Sequence, residues 1–347
     1  MPQYANAIMT KCRAIYGNML SPAQYDELLR KQSVQEIAAF LKEKTSYAPA
    51  LAGVQESTVH RGQLESLLHK DAFYHYVRLI RYAPKNEGIY NYVVMDIEIE
   101  LILACLRDII SARPDDEYIA SLPTFIQPYI SFHVLDLVGV KNVGQVMKII
   151  ENTEFGPVFR KCMEAHPQVE NQVDYTAYEL ALRTYYFETL LGQVCRSARG
   201  TARKELTELV TIRAELMNIN MMYRLKAYFH ASPDQVRAML LPFTCRLSRR
   251  TLDELIAARD AQEFLQRLSR TIYGKVITPD TTYIEGATGN IRYRLDLKRL
   301  RFSTDPQVVF TALMLLRTME VENIIRIIEG VRYHLPPEKI EKLLYSA

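Results

Sequence analysis

The chain has 347 residues, with 43 Lys and Arg against 40 Asp and Glu, a formal net charge of +3, 22 Tyr and no Trp. That length can bury a sizeable core and ordinarily divides into two or three domains. A charge this close to balance demands neither nucleic acid nor membrane lipid as a partner.

The five Cys (Cys12, Cys105, Cys162, Cys195, Cys245) are scattered and never in Cys-x-x-Cys spacing. That pattern argues against a zinc site or a disulfide framework and for a reducing cytosol. The N-terminal Met-Pro-Gln-Tyr-Ala-Asn lacks the basic and apolar regions of a secretory signal. No membrane span is expected either. The apolar run Val308 to Leu316 is too short, and Pro123 and Pro128 break the uncharged stretch from Tyr118 to Leu135.

Following Leu20-Ser21 and Asp26-Glu27-Leu28, the first strong signal is Ser33-Val34-x-Glu36-Ile37, with Leu41 and Tyr47 beyond it. Ser33 suits an N-cap, Glu36 can reach back from the third helical position, and the apolar residues turn one helix face inward. Glu98-x-x-Leu101-Ile102-x-x-x-Leu106-Arg107 reads as a second helix on which Glu98 and Leu101 share a face, followed by Pro114 and Ile119. Asn142-Val143-x-Gln145-Val146, with Ile150 and Phe155, repeats the first signal.

Asp174 caps a helix through Tyr178, Leu182, Tyr185 and Leu190, and Gly200-Thr201 marks a break before a long helix ending near His230. No Pro falls between Pro167 and Pro233, and within that stretch lies Glu215-x-x-Asn218-Ile219-x-x-x-Tyr223-Arg224. Pro233-x-x-Val236 suits a helix's first turn.

Leu247-Ser248 and Asp253-Glu254-Leu255 then precede Asp260-Ala261-x-Glu263-Phe264, with Leu268 and Tyr273. Thr278 to Asn290, with its Gly and Pro, reads as a loop, and Arg292 to Arg301 as a basic amphipathic turn or short helix. Asp305-Pro306 opens a helix through Phe310, Leu313, Arg317 and Ile324 to a stop at Gly330. It carries Glu320-x-x-Asn323-Ile324-x-x-x-Ile328, and Pro337-x-x-Ile340 follows.

Two different motifs therefore recur three times in one order, with successive helix starts roughly 110 residues apart. Helical signals dominate and strand alternation is missing. The expectation is an all-α scaffold of three similar domains, 1–120, 121–240 and 241–347.

Enzyme motifs are sought without success. Gly274-Lys275-Val276 lacks the rest of a P-loop, and neither His-Glu-x-x-His nor Gly-x-Ser-x-Gly occurs. Glu65 and His69 share a helix face, but His75 lies well around the cylinder, which favours a solvated or half-buried surface over a metal site. No catalytic residue, metal or cofactor is expected.

Three basic clusters remain, namely Arg196, Arg199, Arg203 and Lys204; Arg246, Arg249 and Arg250; and Arg292, Arg294, Lys298, Arg299 and Arg301. Each can be a docking surface for an acidic partner or an ordinary solvated face, and no interleaved aromatics suggest nucleic acid. Glu215 with Asn218 and Glu320 with Asn323 can form a polar contact surface or a buried network that fixes helix packing. Recurrence at equivalent places favours packing.

Tyr4-Ala5-Asn6-Ala7, Leu20-Ser21-x-x-x-Tyr25, Ser33 to Tyr47, Glu154-Phe155-Gly156-Pro157-x-Phe159, Glu215-x-x-Asn218-Ile219 and Glu320-x-x-Asn323-Ile324-x-x-Ile327-x-Glu329-Gly330 together resemble the C component of archaeal and bacterial V/A-type ATPases, named d in the eukaryotic V-ATPase. The similarity spans essentially the whole chain. It departs at Leu101, which replaces Asn in the first copy, and at Glu329, which replaces Arg in the third.

The resemblance implies an all-helical funnel of three domains about a pseudo-threefold axis. It implies a non-catalytic subunit, peripheral on the cytoplasmic face of the membrane, that joins the D and F subunits of the central stalk to the membrane rotor ring. It would carry torque between ATP hydrolysis or synthesis and proton or sodium transport, with the basic clusters, above all Arg246 to Arg250 and Arg292 to Arg301, as contact candidates. The competing readings are a cytosolic helical-repeat adaptor without a rotary partner and, more weakly, a helical metalloenzyme.

Overall fold

Side chains that accept backbone N–H groups set where the helices start. The computed structural model describes residues 3–84, 88–111, 119, 122–166 and 173–346, and among them every regular element is helical. The α-helices in chain order are α1 (Gln3–Gly17), α2 (Pro22–Leu29), α3 (Val34–Lys44), α4 (Arg61–Ile80), α5 (Tyr92–Ser111), α6 (Val143–Ile150), α7 (Gly156–Ala165) and α8 (Tyr175–Ser197). Then come α9 (Gly200–Tyr228), α10 (Pro233–Ala238), α11 (Arg249–Ile256), α12 (Ala261–Leu268), α13 (Ile284–Phe302), α14 (Pro306–Arg332) and α15 (Pro337–Glu341). No helix among the described residues is long and apolar enough to cross a membrane.

The three repeated helix starts are alike in atomic detail. Ser33, Asn142 and Asp260 all have extended backbone, and each side chain accepts the third helical N–H, from Glu36, Gln145 and Glu263. The Glu or Gln at that position does reach back, but one residue further than a capping box requires. It accepts the N–H of Gln32, Lys141 and Arg259, the residue before each cap. At each start one orphan helix donor and one N–H ahead of the cap are satisfied. Pro114 of the downstream element lies outside the described residues.

Contacts divide the chain into two compact units, one of residues 1–90, 200–209 and 281–347, the other of residues 91–199 and 210–280. The first unit is built around α14. Twenty of its residues are buried, among them Val308, Leu313, Leu316, Ile324 and Ile328, because α1, α3, α4, α13 and α15 pack against it from different sides. A helix apolar on every side belongs in a core. In the second unit α8 packs on α5 and α7, and α11 on α10 and α12. There Arg213 of α9 donates to the Tyr186 hydroxyl (2.8 Å) and faces Asp96 of α5 (3.4 Å), so its buried charge is paired.

Three expectations need correction. The segment Thr278 to Asn290 is a loop only up to Tyr283, and Arg292 to Arg301 is the second half of the 19-residue helix α13. Its glycines serve close packing instead of turning. A Cβ on Gly289 would strike the Tyr345 ring, and one on Gly286 the Tyr283 ring. The same holds at Gly330, which lies inside α14 because Ile340 packs directly on its backbone, so the helix runs on to Arg332.

Candidate functional site

The second repeated motif places one buried carboxylate on each of three helices, Glu98 on α5, Glu215 on α9 and Glu320 on α14. Each grips backbone 11 to 15 residues ahead of a repeated helix start. Glu215 Oε2 accepts the N–H of Cys245 (2.6 Å) and Leu247 (3.0 Å), and both its oxygens accept that of Arg246 (3.0 Å). Oε1 also takes the Tyr273 hydroxyl. These N–H groups lie in an irregular segment and have no ladder to join, so the carboxylate completes their hydrogen bonding. Burial, then the adjacent Glu215 charge, pushes the Tyr273 phenol well above its usual range, which keeps it a donor.

Glu320 repeats the arrangement in the first unit. It accepts the Leu20 N–H through Oε1 and the Tyr47 hydroxyl through Oε2 (3.0 Å). Here a cation is added. Arg317, one turn earlier, donates to Glu320 Oε2 and to Asp71 Oδ2 of α4 (2.8 Å). Glu98 is the reduced copy. Its Oε1 accepts the Ser131 N–H and the Ser131 side chain also bonds the carboxyl, but Phe155 stands where the others have Tyr47 and Tyr273, so no phenol is supplied. Burial drives the Glu98 carboxyl above its usual range, with the Ser131 contact opposing.

A residue missing from the sequence reading positions the aromatic in all three copies. Thr45, Thr153 and Thr271 each donate to a carbonyl at the end of the preceding helix, those of Leu41, Ile150 and Leu268. Each hydroxyl also accepts the N–H two residues on, from Tyr47, Phe155 and Tyr273 (3.2 Å in all three). The signal was a Thr-x-aromatic triplet at equivalent positions, Thr45-x-Tyr47, Thr153-x-Phe155 and Thr271-x-Tyr273.

The asparagines close the far side. Asn218 Nδ2 donates to the Leu241 carbonyl while its Oδ1 accepts the Leu241 N–H, both at 2.8 Å. Asn323 does the same with the Tyr345 backbone, at 3.0 and 2.8 Å. Leu101 has no such groups and is buried as an apolar residue in the first copy.

Five repeat positions, Glu98, Glu215, Asn218, Glu320 and Asn323, are thus internal. Their arrangement can hold register and tie segments together. The sequence separations differ sharply. Glu98 reaches 33 residues and Glu215 reaches 30 to 32, whereas Glu320 reaches back 300 residues to Leu20. The third motif therefore serves the segment before the first helix start, and parts of the first unit 300 residues apart in sequence are locked together.

The basic candidates fall into two groups. Arg299 donates to Glu205 Oε1 (2.6 Å) and to Glu208, Arg301 to the Tyr16 hydroxyl (2.8 Å), and Arg292 lies 6.0 Å over the Tyr345 ring. Arg246 is half-buried, with its N–H held by Glu215. Arg249, Arg250, Arg294 and Lys298 are exposed, and Arg250 pairs with Glu254 (3.0 Å). The residues Glu65 and His75 go to separate partners, Arg61 and Asp71. No group of three potential metal ligands occurs among the described residues.

These features define an all-helical repeat scaffold in which one buried carboxylate per copy pins the segment leading into a capped helix. Residues 8–343 match the family described as the ATP synthase (C/AC39) subunit, and the chain belongs to that family. It is 22% identical to the C component of the A-type ATP synthase of Methanocaldococcus jannaschii, over 99% of this chain and 86% of that protein. The Methanosarcina mazei protein of the same name is also 22% identical, over 98% of this chain and 92% of the relative. The resemblance read from the repeated motifs is borne out.

Proposed function

We propose that the chain is the connector between the central stalk and the membrane rotor ring of a rotary V/A-type ATP synthase. It takes up the D and F subunits of the stalk, sits peripherally on the cytoplasmic face, and carries torque between ATP hydrolysis or synthesis and proton or sodium transport. Three modules about a pseudo-threefold axis, open as a funnel to the stalk, belong to this proposal. So does the non-catalytic role.

The observation that carries it, beside the family, is the long-range clamp made by Glu320. A part loaded in torsion yields first where a segment can open locally at little cost. Here the Leu20 N–H and the Tyr47 hydroxyl are held by a carboxylate 300 and 273 residues away in sequence.

Arg249 and Arg250 are the strongest contact candidates. They occupy the first turn of α11, where cations oppose the helix dipole, so the dipole does not account for them, and only Arg250 has an i,i+4 partner, Glu254. Reversing both charges tests the reading by titration with a purified D–F heterodimer at low salt. The expected result is a loss of affinity of at least about tenfold. Unchanged affinity removes these arginines from the interface. Failure of the wild-type chain to bind the heterodimer or to co-purify with the membrane complex would leave the adaptor reading.

A further inference from the structure

α1, α4 and the residues just after α4 line an open cleft of about 360 Å³, whose walls include Lys11, Ile15, Arg78, Leu79, Arg81 and Tyr82. That volume is in the range of small-molecule sites. The three cations are exposed, and no lining residue is acidic. Among the described residues neither Arg78 nor Arg81 has an ionic partner, and Lys11 Nζ is steadied 4.8 Å over the Tyr82 ring. Three like charges around one concavity repel each other, and an anion carrying more than one charge relieves all of them at once. Arginine favours phosphate through paired N–H donors, while Ala14 and Ile15 offer an apolar wall that a bare inorganic ion leaves unused.

The cleft is also held in shape. His75, on its wall, lies 3.5 Å from Asp71, and the same Asp71 oxygen holds Arg317 of the Glu320 clamp at 2.8 Å. Such a wall is ordered before a ligand arrives, which lowers the entropic cost of binding.

We propose that this cleft binds a small organic phosphate. Lys11, Arg78 and Arg81 hold its phosphate groups, and its apolar body lies on Ala14 and Ile15. The site is independent of the coupling role, since it needs neither stalk nor ring.

Calorimetric titration of the full chain at low ionic strength tests it, with pyrophosphate, ADP and adenosine as probes. ADP should bind once per chain and more tightly than pyrophosphate, and adenosine should not bind. Arg78→Gln and Arg81→Gln should each weaken ADP at least about tenfold, as expected for one lost charge-assisted hydrogen bond, with unchanged circular dichroism. Absence of saturable binding by ADP and pyrophosphate overturns the site, as does wild-type affinity in both variants. Equal affinity for pyrophosphate and ADP overturns the role of the apolar wall. Saturable binding of a Glu-rich peptide where both phosphates fail assigns the cleft to a protein partner and overturns the proposal as well.

Discussion

Replacing Glu215 by Gln keeps the size of the side chain and removes its charge. In the native clamp three backbone N–H groups and the Tyr273 hydroxyl converge on the carboxylate. The amide can offer its oxygen to the N–H groups and turn its NH2 toward the phenol oxygen, so the geometry survives while the charge assistance does not. Hydrogen bonds to an ion contribute about 1.5–3 kcal/mol and neutral ones about 0.5–1.5. Over three N–H donors, less the relief of no longer burying a charge, the loss comes to about 2–4 kcal/mol.

Glu98→Gln is the internal control. Its carboxylate is equally buried but has Ser131 as its donor, so the same substitution should stay within about 1 kcal/mol of wild type. Both residues belong to the same compact unit, so a single unfolding transition compares them. Urea denaturation followed by far-ultraviolet circular dichroism and by tyrosine fluorescence, which no Trp obscures, gives the two values. Equal losses in the two variants, or a Glu215→Gln protein as stable as wild type, would refute the assignment of energy to the converging donors.

The Glu98 carboxyl also predicts a pH dependence. Burial raises its folded value above the ordinary 4.5, so between those two values the folded state binds more protons and stability falls as pH rises. Glu98→Gln should remove that slope, seen as a flatter plot of unfolding free energy against pH. Phe155→Tyr should give Glu98 the phenol donor that the other copies have, in addition to Ser131, and raise the stability of that unit at neutral pH by about 1 kcal/mol, measured by the same denaturation. Asn323→Leu removes both bonds to the Tyr345 backbone and should cost about 2–4 kcal/mol, with faster hydrogen exchange in α15 and the residues after it. Native stability and exchange in that variant, with lost partner binding, would instead make the asparagine a contact residue.

The helix starts were legible because their determinants are local. Ser33 and Glu36 sit three residues apart, and whatever the rest of the chain does, they satisfy N–H groups within the same turn. Asp305-Pro306 works likewise. Glycine misled the reading at Thr278 to Asn290, because Gly286 and Gly289 are selected by the rings of Tyr283 and Tyr345, and Tyr345 lies more than fifty residues away. The repeated Glu and Asn positions were visible as a pattern, with packing favoured from their recurrence alone. Their partners were not visible. Backbone N–H groups carry no side-chain signature, so nothing in the residues around Ser131 or Cys245 announces which carboxylate they meet.

The sequence by itself determined that this is a thrice-repeated helical chain of a known family, since capping, helical periodicity and motif order act over a few turns. Only the tertiary structure decided that the copies interlock out of register with the chain, the last motif closing on the segment before the first helix start. It also decided that the three carboxylates are unequal in partners, with Arg317 added to one and the phenol replaced by a Ser131 contact in another. The physical reason is distance. A buried charge must find its donors wherever folding brings them, and here that is up to 300 residues away.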